Sequence, residues 1–184
     1  MDKPKIIIGI DPDVDKSGVA CLNVEKFQVV RVDALSITQL IRYFSNAYDR
    51  VAAGIYNKGD IAVVIEDSDS RTNWQIKDMR ISPRAAAAIG HGAGMCHATQ
   101  RHIQEIAESY EAFNIVLQHP LKKSWMGRDG KITQEEITQF IPGLPNKMNQ
   151  ECRDACLLAW SYANFPIHIP ASFYIEALKK KKGE

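Results

Sequence analysis

The chain has 184 residues, 45% of them hydrophobic and 24% charged, with a formal net charge of +1. This is the composition of one globular domain long enough to bury a core. No apolar run approaches the roughly 20 residues of a membrane span, and a near-neutral chain requires any cationic surface to be local. The N-terminus lacks a basic stretch followed by an apolar run, so no secretory signal and no membrane partner are expected. Cys21, Cys96, Cys152 and Cys156 form no dense framework and read as reduced thiols of a cytoplasmic protein.

Three strand-like segments open the chain: Lys5–Asp11, Val19–Asn23 and Phe27–Asp33. Their short connectors predict an antiparallel meander. In "SITQLIRYFSNAYDRV", Ile37, Leu40, Ile41, Phe44 and Tyr48 recur at helical spacing behind a Ser36 cap. "DIAVVIED" reads as a buried strand ending on Glu66, and residues 68–82 are polar and irregular. A long helix is predicted from Pro83 to about Ala112, then a strand in "NIVLQHP". "TQEEITQFI" is a short helix with the Thr133–Glu136 capping-box spacing, and "NQECRDACLLAWSYANF" is the last clear helix. The order β-β-β-α-β-α-β-α-α predicts an α/β fold, a mixed sheet with helices packed on it. Lys179–Lys182 reads as a solvated tail.

The chemistry is carried by acids. Asp11 ends the first strand and Glu66 the fourth, while Glu151 and Asp154 share a face of the last helix at i, i+3. Singly, Asp11 also reads as a turn former, Glu66 as a surface residue and Glu151 as a partner of the helix dipole. Jointly, four carboxylates raise one another's pKa unless a cation compensates them. A hard divalent ion, Mg²⁺, is the expected cofactor, as two ions roughly 4 Å apart that suit phosphodiester hydrolysis; Mn²⁺ can substitute. Asp13, Asp15, Asp67 and Asp69 read as solvated loop acids, with Asp13 a possible spare ligand.

These residues resemble the RuvC branch of the RNase H-like nucleases, the Holliday-junction resolvases. "IIIGIDPDVDKSGVACL" is similar to that family's first strand, catalytic Asp and hairpin, and "IAVVIED" to its second acidic strand. "AIGHGAGMCHA" resembles its small-residue helix, "LKKSWMGRDGKITQEEITQFIPGLP" its basic segment and short helix, and "NQECRDACLLAWSYA" its closing helix. The resemblance covers most of residues 5–164. It implies one RNase H-like domain over residues 1–184 with helices on both sheet faces and a C-terminal extension, 166–184. It further implies catalytic and metal-binding roles for Asp11, Glu66, Glu151 and Asp154, and phosphate contacts for Lys122 and Lys123. Asp13 stands where the family has Gly, Glu151 where Asp or His is commoner, and the segment after Glu66 is longer.

Lys131 lies near the two family lysines, and lysines beside a metal site would neutralise phosphates. Arg71, Trp74, Lys77 and Arg80 form a second candidate nucleic-acid surface, with Trp74 stacking on a splayed base or folding over its own loop. Trp125 and Trp160 read as core. Ala86, Gly90, Gly94 and Ala98 form a small-residue stripe expected to pack on the domain's own sheet or helices, a dimer contact being the alternative. Cys96, His97, Cys152 and Cys156 lack zinc-site spacing.

The expected function is metal-dependent hydrolysis of DNA phosphodiesters by in-line attack of water, on a four-way junction, by a homodimer. The alternatives are a nuclease for other branched DNA or RNA–DNA hybrid, and a non-catalytic DNA-binding protein of the same fold. An ATPase of the actin and sugar-kinase type would need a second such domain.

Overall fold

A computed structural model describes residues 3–68, 82–122 and 124–182. Five strands form one sheet: β1 (Ile6–Asp11), β2 (Ser17–Asn23), β3 (Gln28–Leu35), β4 (Ile61–Glu66) and β5 (Asn114–Gln118). Their order is β3-β2-β1-β4-β5. β1, β2 and β3 pair antiparallel as the expected meander, whereas β4 and β5 join β1 in parallel. This is the mixed sheet that the order of elements predicts.

The helices are α1 (Ile37–Ala52), α2 (Pro83–Glu108), α3 (Gln134–Ile137), α4 (Gln150–Tyr162) and α5 (Ala171–Lys182). Strand alternation splits the core in two. Ile6, Ile8 and Ile10 of β1 point with Val63 and Ile65 of β4 toward Leu40 and Phe44 of α1 and Ile103 of α2. Ile7 of β1, Ala20 and Leu22 of β2 and Val64 of β4 point the other way, into the cluster built by α3 and α4. Helices therefore cover both faces, and the central strands are continuous apolar runs because both of their faces are buried.

α4 lies against the sheet with unusual closeness. A Cβ on Gly9 would meet the Ala155 carbonyl oxygen at 2.4 Å, and one on Gly18 would meet the Glu151 carbonyl oxygen at 2.0 Å. The two glycines thus fix both the depth and the direction of α4. Its N-terminal turn sits over Gly18, which pairs with Asp11, so the helix starts at the acidic end of β1.

Several boundaries differ from the sequence reading. β3 begins after Phe27, which takes a positive φ of 52° in the turn and stacks on Phe165. α2 stops at Glu108, short of Ala112, because the chain reverses at Glu111, where φ is 51°. α3 is only 4 residues long. Lys179–Lys182 is not a bare tail but the last turn of α5. The small-residue stripe of α2 is a further correction. An added Cβ at Gly90, Gly92 or Gly94 meets nothing within 4 Å among the described residues, and Ile89 and Met95 beside them are each 40% exposed. Among the described residues, the glycine face of this half of α2 packs on no other element, although Met95 and Ala98 line a cavity with Val14 and Ile37. Glycine periodicity is the same whether the face packs inward or outward.

Candidate active site

Asp11 and Glu66 are the last residues of two neighbouring parallel strands. The register pairs Ile10 with Ile65, so the next step sets Asp11 beside Glu66 at the strand spacing of about 4.8 Å. Alternation from Ile7 and Val64 puts both side chains on the α4 face, and both residues are 8% exposed. β5 extends the row, because Gln118 lies opposite Glu66. It shares the parity of Val116, which packs on the α4-side cluster. The Gln118 Oε1 atom is buried and accepts no hydrogen bond among the described residues. Three oxygen-bearing side chains thus cross the ends of three adjacent strands.

α4 adds the fourth. Its start is set by Asn149, whose side chain accepts the Cys152 N–H at 3.0 Å. Asp154 and Glu66 line one cavity with Pro120, Lys122, Trp125 and Lys131. Gln150 Nε2 donates to Asp154 Oδ1 at 2.8 Å, and Lys131 Nζ is 3.7 Å from Oδ2. Burial raises the Asp154 carboxyl above the ordinary value, and Glu151 pushes it further the same way. Gln150, Lys131 and Arg153 pull it down without cancelling the burial. The anionic carboxylate is therefore short of positive charge where it stands.

The loop over this cavity is held by residues that the sequence did not single out for that role. Glu136, 0% exposed, completes its predicted capping box by taking the Thr133 N–H at 3.0 Å. The same carboxylate takes the Met126 N–H at 3.0 Å, which anchors the loop ten residues away. The loop then folds on itself: Trp125 N–H reaches the Gly130 carbonyl at 3.1 Å and Gly127 N–H the Lys131 carbonyl at 3.0 Å. Arg153 on α4 donates to the Ile132 carbonyl at 3.0 Å and to the Met148 carbonyl at 2.5 Å. Lys131 and Trp125 are accordingly carried on a braced loop. The capping-box spacing was the only sequence signal for Glu136. Arg153 had none.

Among the sequence candidates, Asp11, Glu66 and Asp154 occupy the same end and face of the sheet. Glu151 starts α4 over Gly18 of β2, a step away from the cavity lining. Asp13 forms a turn, its Oδ1 accepting the Asp15 N–H at 3.0 Å. Lys122 is exposed at the cavity. Trp160 is core, 4% exposed, and Trp125 packs half-buried against the same core cluster while also lining the cavity. Cys152 and Cys156 are buried in the core. Arg71, Trp74, Lys77, Arg80, Lys123 and Asp69 lie outside the described residues.

No protein-family model and no curated protein matches the chain. Among solved structures it is similar to Thermus thermophilus RuvC in complex with a Holliday junction substrate. That likeness has 13% identity, covers 86% of this chain and 93% of the other, and has a TM-score of 0.48. It is also similar to a Thermus thermophilus RuvC structure with 16% identity, covering 94% and 96% of the two chains, at a TM-score of 0.42.

Among the described residues, no three His, Cys, Asp or Glu side chains form a group that could hold a metal ion by themselves. The donor set nevertheless fits a hard cation. Asp11 and Glu66 are neighbouring buried carboxylates, and the orphaned Gln118 oxygen lies at the same strand ends. Mg²⁺ keeps several waters and takes one or two carboxylates plus substrate phosphate, so it needs no cage of three protein ligands.

Proposed function

We propose that this chain is a divalent-metal-dependent endonuclease that hydrolyses DNA phosphodiesters, with a four-way junction as substrate. The observation that carries the reading is the cavity in which Glu66 and Asp154 face Lys122 and Lys131, beside the Asp11–Glu66 pair. Carboxylates and amines at one rim suit a phosphate flanked by cations. Asp11 and Glu66 would hold Mg²⁺ or Mn²⁺, with Asp154 and Glu151 completing the acidic wall. When bound, such ions activate water and stabilise the leaving oxygen of an in-line displacement. Lys122 and Lys131 neutralise backbone phosphates and set the register of the strand, without reading its sequence. The choice of a branched substrate rests on the resemblance of the sequence motifs.

A four-way junction is roughly two-fold symmetric, so a C2 homodimer offers two sites in matching orientation. The outward glycine face of α2, with Ile89 and Met95, supports an assembly through that helix.

The test is incubation with labelled four-way junction, flap, RNA–DNA hybrid and linear duplex, with and without Mg²⁺. Paired, Mg²⁺-dependent incisions across the junction are expected. Cutting confined to flap or hybrid would replace the substrate assignment, and cutting of none would leave a DNA-binding protein.

A further inference from the structure

We infer that Trp125 is a base-stacking residue of the cleavage site: its indole takes the nucleobase next to the scissile phosphate. The inference rests on the nuclease reading above and adds to it a contact with the base.

Trp125 is half-buried and lines the same cavity as Glu66, Asp154, Lys122 and Lys131. Core packing accounts for part of the indole, and phosphate contacts alone would not call for an aromatic ring in that wall. One side of the ring is committed to Phe140, with centroids 6.1 Å apart and planes 19° from parallel. The ring packs on the α4-side core cluster and also lines the cavity. Phe140 is backed in turn by Trp160 at 6.4 Å, and Trp160 by Phe165 at 4.8 Å. Trp160 is itself fixed by its Nε1–H to the Pro166 carbonyl at 3.0 Å. The aromatic row anchors Trp125 to the core, so little freedom remains to be lost when a base stacks on it.

The backbone is braced as well. The Trp125 N–H is bonded across the loop to Gly130, and the next residue, Met126, is held by buried Glu136. A Cβ on Gly127 would come 2.3 Å from the Lys131 carbonyl oxygen, so the turn closes only with glycine there. That closure fixes the backbone from which the Lys131 and Trp125 side chains project. A cation for the phosphate and a flat apolar ring for the adjoining base are the two parts of a single-strand contact. In an intact duplex the base is already stacked on both sides. Trp125 therefore favours DNA whose bases are unstacked beside the cut, as they are at a branch point.

Stacking of this kind is worth about 1–3 kcal/mol per base, or roughly 5- to 150-fold in affinity. The test uses the full chain in two arms. In the first, Asp11→Asn protein, expected to bind without cutting, is titrated into junctions carrying 2-aminopurine on either side of the cut. Quenching of one probe is expected, lost in the double variant with Trp125→Ala and restored with Trp125→Phe. In the second, unmodified protein is given junctions with one abasic nucleotide beside the cut. KM is expected to rise within the stated range, and the same change should be absent for Trp125→Leu, which keeps apolar packing on Phe140 without a stacking face. Unchanged quenching in the Trp125→Ala background overturns the inference, as does equal KM for intact and abasic junctions. A protein that binds and cuts normally in both cases leaves the nuclease reading standing, whereas one that binds no junction overturns both.

Discussion

The Glu151 carbonyl oxygen rests on Gly18, 2.0 Å from where that glycine's Cβ would be. The contact joins the start of α4 to the strand that pairs with Asp11, because Gly18 is the register partner of Asp11. It is the joint between the two acidic segments. Gly18→Ala is expected to push the N-terminal turn of α4 off the sheet, since the obstacle is backbone and cannot rotate away. Overpacking of this sort costs about 1–3 kcal/mol. Asp154 rides on the displaced turn, so cleavage should fall further than the loss of folded protein explains. Denaturant melts beside cleavage rates on folded protein would check it. Full activity at wild-type stability would mean that α4 is not positioned by this contact.

Asp154 gives a prediction in which stability and activity move in opposite directions. Its folded pKa lies above the ordinary 3.8, chiefly through burial. A raised carboxyl pKa means that the folded state binds the proton more tightly than the unfolded chain. The group's contribution is most favourable below 3.8 and is lost as pH rises through the shifted value. In chelator, Asp154→Asn should therefore gain stability relative to wild type as pH rises through that window, while Mg²⁺-dependent cleavage is abolished and DNA binding is retained. Thermal melts from pH 3 to pH 8, with cleavage assays at neutral pH, test both halves. A wild type that gains on the variant with rising pH would contradict the burial argument.

Lys122 and Lys131 line the cavity from the segment after β5 and from the braced loop. If each neutralises one phosphate, replacing both with Ala should flatten the dependence of log affinity on log salt by about 0.9 per lost contact on duplex arms. The loss of affinity should be the same for every junction sequence, since phosphate contacts carry no base information. Binding isotherms at several salt concentrations decide it, and an unchanged slope would make both side chains merely solvated. The Lys131 result must be compared with the stability of the variant, because its ammonium is also 3.7 Å from Asp154 Oδ2.

The central sheet was legible because its signals are local. The Ile run of β1, the aliphatic run of β4 and the acids that end them give strand, length and stop in a few residues, and Asp11 and Glu66 followed from where the apolar runs end. What the sequence withheld depends on distant partners. The Glu136 bond to Met126 spans ten residues through a backbone N–H, which has no residue identity to read. Trp125 was assigned to the core because a large apolar ring is usually buried, and its packing on Phe140 agrees, whereas its place in the cavity wall depends on the fold of the loop and has no local sequence signal. α5 was missed because its sequence, "ASFYIEALKKKK", follows a proline-flanked stretch and ends in a charge run that reads equally well as tail.

The outward face of α2 yields the last prediction. In an isolated domain, Gly90, Gly92 and Gly94 are helix-interior glycines with empty space beyond them among the described residues. Each costs about 1 kcal/mol against Ala there. A second copy of the chain packed on that face would offset the cost through close backbone approach, which a larger side chain would block. Gly94→Arg is then expected to leave the melting temperature of the monomer unchanged or raised, while halving the mass seen by light scattering of the free protein or of its junction complex. Because one protomer carries one acidic site, the same variant should convert paired incisions into single, uncoordinated nicks. A Gly94→Arg protein that keeps its mass and still makes paired cuts would place the subunit contact elsewhere. A wild type with one protomer per cleaved junction would remove the paired-site mechanism altogether and favour a flap or hybrid nuclease.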